Sequence, residues 1–262
     1  MDKPIWRVGV INDLHIPYHD RIAVAMSLRI FKDAGVDEII LNGDVLDFYT
    51  LNFYSSKHPD VKEALTTEID AGIDFLVSLR KMFPDQKITF LFGNHEHRLD
   101  RWVVKNCPHF WNMLKLDKML RLEELKIGWL PYQTPYSITD SLKLMHSPPS
   151  YGVNGARTSL LKKMDTSYIY ACTHRVQHSC QTTDSGKVIH AWFNGWLGDT
   201  GKFPTEENKQ NKTVFDYMKG HDSWQKVCLL ADVFDDGLFS VHQIHLNGYK
   251  ATWGSKYYDF TK

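Results

Sequence analysis

The chain has 262 residues and lacks several features that would place it quickly. No stretch approaches about 18 consecutive apolar residues, so no transmembrane helix is expected. The opening MDKPIWRVGVIND has no long apolar segment of the kind a signal peptide needs. Four cysteines (Cys107, Cys172, Cys180 and Cys228) are too few for a disulfide framework at this length. Net charge is absent too: 31 Lys and Arg balance 31 Asp and Glu. That removes a broad electrostatic footprint for DNA or an anionic membrane and leaves room only for a local basic patch. Internal repeats and low-complexity tracts are missing. A reducing cytoplasm is therefore the expected compartment, with no membrane partner, and the oligomeric state is open.

What is present suits one large core. Apolar residues make up 43% and charged residues 24%, the composition of an ordinary globular chain, and one domain spanning 1–262 is expected. The first half alternates strand and helix signals. Arg7–Ile11 reads as a strand, Asp20–Ala34 as a helix stopped by Gly35, and Glu38–Leu41 as the next strand. Val61–Met82 reads as a long helix closed by Pro84, and Lys87–Phe92 as a third strand, so parallel β-α-β units are expected. In the second half Tyr136–Thr139, Ser141–His146 and Tyr168–Ala171 read as strands, with a helix near Asn154–Asp165. TDSG and DDG mark two hairpins, Val176–Thr182 with Lys187–Asn194, and Trp224–Phe234 with Leu238–Leu246. Between them Asp199–Asp222 is polar and lysine-rich, a long loop. Two sheets packed together with helices outside are expected.

Potential ligands recur at the ends of these strands. RVGVIND runs into Asp13 and His15, EIILNGD delivers Asp44, and ITFLFGN delivers Asn94 and then His95. LKLMH ends on His146, and YIYACTH on Cys172 and His174. Each has a plain reading alone. Asp13 and Asp44 suit turns or helix caps, Asn94 suits the cap of a helix His95–Asn106, and His146 or His174 suits a structural histidine. Five strand ends carrying oxygen and nitrogen donors together point instead to a site, since α/β folds place their sites there. Carboxylate, imidazole and amide suit divalent ions such as Mn, Fe, Ni or Zn. A carboxylate can bridge two ions about 3.5–4 Å apart, and such a pair activates water for attack on a phosphate ester without a Ser or Cys nucleophile.

DLH, GDVLD, GNHE, a later lone His and THR, in this order, resemble the calcineurin-like metallophosphoesterase superfamily. GDVLDFYTLNFY, GNHEHRL and NGWLGD resemble its phage and bacterial members. The resemblance implies a four-layer sandwich of two mixed sheets flanked by helices, an α/β fold. It also implies that Asp13, His15 and His174 hold one ion, Asp44 bridges, and Asn94 and His146 hold the second. His95 would protonate the leaving oxygen or stabilise phosphate charge, oriented by Asp47, which alone would read as a turn residue. Backbone N–H groups opening the helix after Asn94 would favour an anion.

The family usually ends this motif set with Gly-His-x-His, where this chain has Ala171-Cys172-Thr173-His174. Cys172 is then one of three things: a thiolate ligand that tilts the second ion towards Zn, a small inert filler, or the mark of a site that no longer catalyses. His178 and His190, the other imidazoles nearby, fall on a solvent-facing hairpin. For substrate contacts, Tyr49, Tyr54 and His58 in FYTLNFYSSKH could wall a pocket or pack on the following helix. Arg98 could reach a phosphate unless Glu96 or Asp100 claims it, and Arg175 is equally ambiguous. The expected function is hydrolysis of a phosphoester, mono- or diester, a nucleotide or nucleic acid among the candidates. A nuclease and a non-catalytic scaffold for a protein partner are the alternatives.

Overall fold

The computed structural model describes residues 3–51, 64–162, 165–200 and 221–261. Its first half runs β1 (Trp6–Ile11), α1 (Arg21–Ala34), β2 (Glu38–Asn42), α2 (Ala64–Met82), β3 (Lys87–Leu91), α3 (Glu96–Asn106), α4 (Leu116–Met119) and β4 (Gly128–Leu130). The second half runs β5 (Tyr136–Thr139), β6 (Leu142–Met145), α5 (Gly155–Leu160), β7 (Ser167–Tyr170), β8 (Gln177–Thr182), β9 (Val188–Phe193), β10 (Val227–Val233), β11 (Phe239–His245), β12 (Lys250–Trp253) and β13 (Lys256–Asp259). The helix after β1 forms where the sequence marks it. Asp20 accepts from the backbone N–H groups of Ile22 and Ala23, both at 3.1 Å, and Gly35 closes the helix in the left-handed conformation that glycine adopts freely.

The strands make two mixed sheets. Sheet one has the order β11-β10-β1-β2-β3-β4, and sheet two the order β5-β6-β7-β9-β8. In sheet one β1 to β4 are parallel, while β10 lies antiparallel to β1 and β11 antiparallel to β10. The late hairpin thus returns to pair with the first strand, with Trp6 opposite Val233 and Val10 opposite Leu229. In sheet two β6, β7 and β9 are parallel, and β5 and β8 are antiparallel edges.

Three apolar clusters define the layers. One lies between sheet one and helices α1 to α3, with Phe31, Ile39, Leu76, Phe90 and Val103 among its members. A second fills the space between the sheets, where Val8, Val10, Ile40 and Leu229 meet Leu144, Ile169 and Trp192. The third packs Ala156 and Leu160 of α5 onto Tyr170, Ile189 and Phe193 on the outer face of sheet two. The alternation within β1 and β2, with Val8, Val10 and Ile40 facing sheet two and Ile11 and Ile39 facing the helices, follows from the period of two along a strand. Each large side chain so buried contributes about 1.5–3 kcal/mol. This is the α/β sandwich of two mixed sheets flanked by helices.

Several elements differ from the sequence expectation. The helix expected near Asn154–Asp165 is the six-residue α5. Strand β4 and the β12–β13 hairpin carried no sequence signal, because three- and four-residue strands are too short for a period to emerge. Of the expected loop Asp199–Asp222, residues 201–220 lie outside the described residues. Among the described residues, no helix is long and apolar enough to cross a membrane.

Helix α1 approaches β1 so closely that a Cβ at Gly9 would stand 2.7 Å from the Phe31 ring. Gly9→Ala should therefore lower the unfolding free energy by about 1–3 kcal/mol through overpacking, read as a lower midpoint in chemical denaturation. An unchanged midpoint would show that the helix can shift without loss.

Candidate metal centre

Three parallel neighbours in sheet one, β1, β2 and β3, end together, and each releases polar residues at its C-terminal end. β1 leads to Asp13 and His15, β2 to Asp44 and Asp47, and β3 to Asn94 and His95. From sheet two, β6 leads to His146, and β7 to Cys172 and His174. The first two loops are laced together: Asp13 N–H donates to Gly43 O, and His15 N–H to Asp44 O, both at 3.0 Å. Five of these residues hold positive φ without being glycine: Asp13 (51°), His15 (54°), Asp44 (50°), Cys172 (67°) and His174 (58°). Left-handed backbone at non-glycine residues costs on the order of 1–3 kcal/mol each, and its concentration here marks a site that the rest of the fold holds in place.

Glycine does the opposite service beside them. Gly43 has φ 81°, and a Cβ on it would run into the His146 ring; one on Gly93 would run into the Asp44 carboxylate. The GD and GN pairs in the sequence thus reflect close approach of backbone to ligand side chains.

Among the described residues the side chains converge in three overlapping groups, each with its donor atoms within 4.8 Å: Asp13, His15 and His174; His15, Asp44 and His95; Asp44, His146 and Cys172. Asn94 joins the third, its Oδ1 lying 3.0 Å from both His146 Nε2 and Cys172 Sγ. All but Asn94 and Cys172 are buried.

Hydrogen-bond partners fix the ring states. His146 Nδ1 is 2.7 Å from the carbonyl oxygen of Asn42, which can only accept, so Nδ1 carries the hydrogen. Nε2 is left facing an acceptor, Asp44 Oδ2, at 3.1 Å. Burial works against a charged His146 ring, but Asp44 and then Cys172 outweigh it and hold its pKa well above the ordinary value. Burial likewise opposes ionisation of Asp44, and His146 and His95 overcome it, leaving its pKa well below the usual range. His15 Nδ1 donates to Asp47 Oδ1 at 2.8 Å, which turns its Nε2 towards His174 Nε2, 3.1 Å away. Asp13 Oδ1 points at His174 Nε2 across 3.1 Å and His15 Nε2 across 3.9 Å without a hydrogen bond of good geometry.

Ring nitrogens aimed at carboxylate oxygens and at one another call for a proton or a cation between them. An imidazole whose Nδ1–H is tied to a carboxylate or carbonyl, with Nε2 turned inward, is the usual supporting arrangement for a metal ligand. The donor set of carboxylate, imidazole and amide, with one sulfur, therefore fits a divalent transition ion.

The supports include residues that sequence reasoning passed over. Glu96 accepts from three backbone N–H groups, Asp44 and Leu46 at 2.9 Å and Gly93 at 2.7 Å, and so ties the two metal-motif loops together. Burial and then the charge of Asp44 push its pKa up to about 7. Glu68 of α2 accepts from Phe48 N–H and shapes the next turn. Asn12 donates to Asp13 Oδ2 at 2.6 Å and to Gly195 O at 2.5 Å, while Asn194 donates to Asn12 Oδ1 at 2.6 Å. With Cys172 N–H also on Asp13 Oδ2 at 3.1 Å, one oxygen of Asp13 is fully engaged and the other is turned to the histidines. Trp196 stacks on His174 at 5.2 Å between centroids, and Trp224 meets it edge-on at 4.3 Å. Glu96 and Asn12 adjoin motif residues and could have been found; Glu68, Asn194 and Trp224 are brought in only by the fold.

Other sequence expectations change. Asp47 is no surface turn residue: it is buried, and besides His15 it stands 3.2 Å from His95 Nδ1, while its carbonyl accepts from that nitrogen at 2.6 Å. Burial raises its pKa, but the hydrogen bonds from His15 and His95 pull it below the usual range. Asn94 does not cap α3; His95 occupies the cap position, and its N–H serves the Asp44 carboxylate at 2.8 Å, so the anion at this helix start is Asp44. Arg98 is claimed by neither Glu96 nor Asp100. It donates to Asp47 O and to His95 Nε2, both at 2.9 Å. Arg175 reaches Ser223 at 3.0 Å. His178 and His190 pair with each other at 3.0 Å on the β8–β9 hairpin and belong to none of the three groups. Tyr49 sits half-buried on the turn after Asp47, and Tyr54 and His58 lie outside the described residues.

Strand-end carboxylates and imidazoles converging on a two-sheet sandwich are the mark of a metal-centre fold. The chain belongs to the calcineurin-like phosphoesterase family, whose model matches residues 7–230. It is 24% identical over 244 residues to the Gene 54 protein of Mycobacterium phage D29, covering 84% of this chain and 86% of that protein. Among solved structures it is similar to Vacuolar Protein Sorting 29 from Cryptosporidium parvum, at 12% identity and TM-score 0.49 over 98% of this chain and 100% of the other. It is similar also to Pseudomonas putida nuclease MPE, at 14% identity and TM-score 0.35 over 73% and 74%.

Asn12→Asp would set a carboxylate oxygen against Asp13 Oδ2 and Gly195 O, where an N–H now donates. It should cost about 3 kcal/mol of stability at neutral pH. The sign with pH is set: protonating the new carboxyl restores a donor, so the deficit should shrink at low pH and grow as the group ionises. A deficit independent of pH in thermal unfolding would contradict this geometry.

Proposed function

We propose that the chain is a phosphoesterase working with two divalent ions, Mn, Fe, Ni or Zn. Asp13, His15 and His174 would hold one, Asn94, His146 and Cys172 the other, and Asp44 would serve both. Asp44 carries this proposal. It is ionised though buried, belongs to two of the three donor groups, and keeps Oδ2 turned to the ring nitrogens while Oδ1 takes the His95 N–H. When bound, a pair of divalent ions supplies Lewis acidity, neutralising phosphoryl charge and lowering the pKa of water towards about 7.

The rest is done by side chains of this chain. Asp47 aligns His15 for one ion and His95 for the substrate, through contacts to the Nδ1 atom of each ring. His95 keeps its Nδ1–H on the Asp47 carbonyl and presents Nε2 to the site. That atom accepts from Arg98; with Arg98 turned to a phosphoryl oxygen, it would be free to take a proton from solvent and pass it to the departing ester oxygen. Burial of the surrounding residues excludes water and strengthens each of these charges.

Cys172 is assigned as a thiolate ligand of the second ion. Its Sγ donates to Asn94 Oδ1, the oxygen that also faces His146, so sulfur, oxygen and nitrogen stand together and would hold an ion as one set.

Purified protein with added Mn, Ni or Zn should hydrolyse p-nitrophenyl phosphate or its bis ester, and EDTA should stop it. Asp44→Asn should lower turnover by at least about a hundredfold with the fold retained. Inactivity on both esters in fully loaded protein would overturn the proposal. In the metal-free protein the His146 pKa is raised well above the ordinary value, and burial, more than His146 offsets, raises that of Cys172. Both groups therefore hold protons near neutral pH, and an ion must displace them. Apparent affinity should rise with pH, and zinc binding to wild type should release about one more proton than binding to Cys172→Ala, measured by calorimetry in buffers of different ionisation enthalpy. Equal release would make Cys172 a filler.

A further inference from the structure

Beside the Asn94, His146 and Cys172 end of the centre stand three flat rings that none of these roles uses. Tyr132 places its hydroxyl 2.9 Å from the hydroxyl of Ser147, the buried residue that directly follows His146. Tyr151 follows Ser147 by four residues on the same loop. His97, one residue beyond Glu96 on α3, stacks on Tyr132 with centroids 5.2 Å apart and planes 26° apart. Pro148 and Pro149 follow Ser147 and restrict the backbone that carries Tyr151. Yet Tyr151 stays 52% exposed, and Tyr132 and His97 are half-buried. Tyr132, anchored through its hydroxyl on a buried serine and stacked on His97, and the exposed Tyr151 offer ring surface to a ligand.

On the basis of the phosphoesterase function above, we infer that Tyr132, Tyr151 and His97 form a stacking site for a flat heteroaromatic ring joined to the phosphate, a nucleobase of a nucleotide either free or within a single strand. Ring faces tolerate any base, because every base has a π face, so the site selects for a ring and not for a sequence. Zero net charge accords with this, since holding a base by stacking needs no extended basic track. The site lies next to His146 and Asn94, so a phosphate on the metal centre and a ring on the tyrosines belong to one short molecule or to adjoining units of a strand.

The test is equilibrium binding to the zinc-loaded full chain, with thymidine 5′-monophosphate, methyl phosphate and a short thymidine oligonucleotide as probes. Thymidine 5′-monophosphate should bind about tenfold more tightly than methyl phosphate, the range of one base on an aromatic ring. Tyr132→Ala should remove most of that margin and Tyr132→Phe should keep it; Tyr151→Ala, on a partly exposed loop residue, is a second variant that should reduce it. No margin in wild type, or a margin that survives both alanine variants, overturns the inference. Tighter binding of the oligonucleotide than of the mononucleotide assigns the ring to a strand, and weaker binding assigns it to a free nucleotide. A protein that hydrolyses no ester yet shows the Tyr132-dependent margin would sink the phosphoesterase function and leave the ring site standing. Turnover of esters without any margin would do the reverse.

Discussion

A carboxylate with 1% of its surface exposed stays ionised only where positive or proton-bearing groups face it, and Asp44 is such a carboxylate. His146 and His95 supply the opposing charge, and the His95 N–H holds one oxygen in place. Around it the fold makes concessions that have no other reason. Gly43 and Gly93 give up side chains so that His146 and Asp44 can approach the backbone. Five left-handed residues carry backbone strain. Glu96, whose pKa burial and then the nearby Asp44 push up to about 7, is held there by three backbone N–H groups.

The two sheets divide the work. Sheet one contributes the acidic side through β1, β2 and β3, whose parallel arrangement brings Asp13, Asp44 and Asn94 to one edge. Sheet two contributes the far imidazoles and the thiol through β6 and β7. The apolar layer between the sheets, with Val10 and Ile40 on one side and Leu144 and Ile169 on the other, sets the distance across which these donors meet. Asn194 to Asn12 to Asp13 is a polar tie across the same gap, from the end of β9 to the end of β1. Packing and chemistry therefore share one constraint, the spacing of two sheets.

Much of this was legible in the sequence because each candidate ligand position is a sharp change of character, an apolar strand that ends in Asp, Asn or His. Asp13, His15, Asp44, Asn94, His95, His146, Cys172 and His174 all announce themselves in that way, and the structure brings them together. The two-sheet sandwich followed from the same strands and from the motif resemblance. What escaped was set by tertiary contact. Glu68 and Asn194 are unremarkable in their own windows, and the window of Asp47 shows only a turn, so its orienting role came from the motif resemblance and not from anything local. Tyr132 and Tyr151 lie in loops whose sequence suggests only turns, and β4 is too short to show a period. Asn94 alone suits a helix cap as well as a ligand, because an amide serves both purposes, and its place beside His146 and Cys172 favours the second.

Two ions astride Asp44 are the centre of this account, and X-ray anomalous scattering from crystals loaded with zinc or manganese tests them most directly. Two peaks are predicted, one among Asp13, His15 and His174 and one among Asn94, His146 and Cys172, each within bonding distance of Asp44 and about 3.5–4 Å apart. A single peak, or none at full loading, would contradict the account.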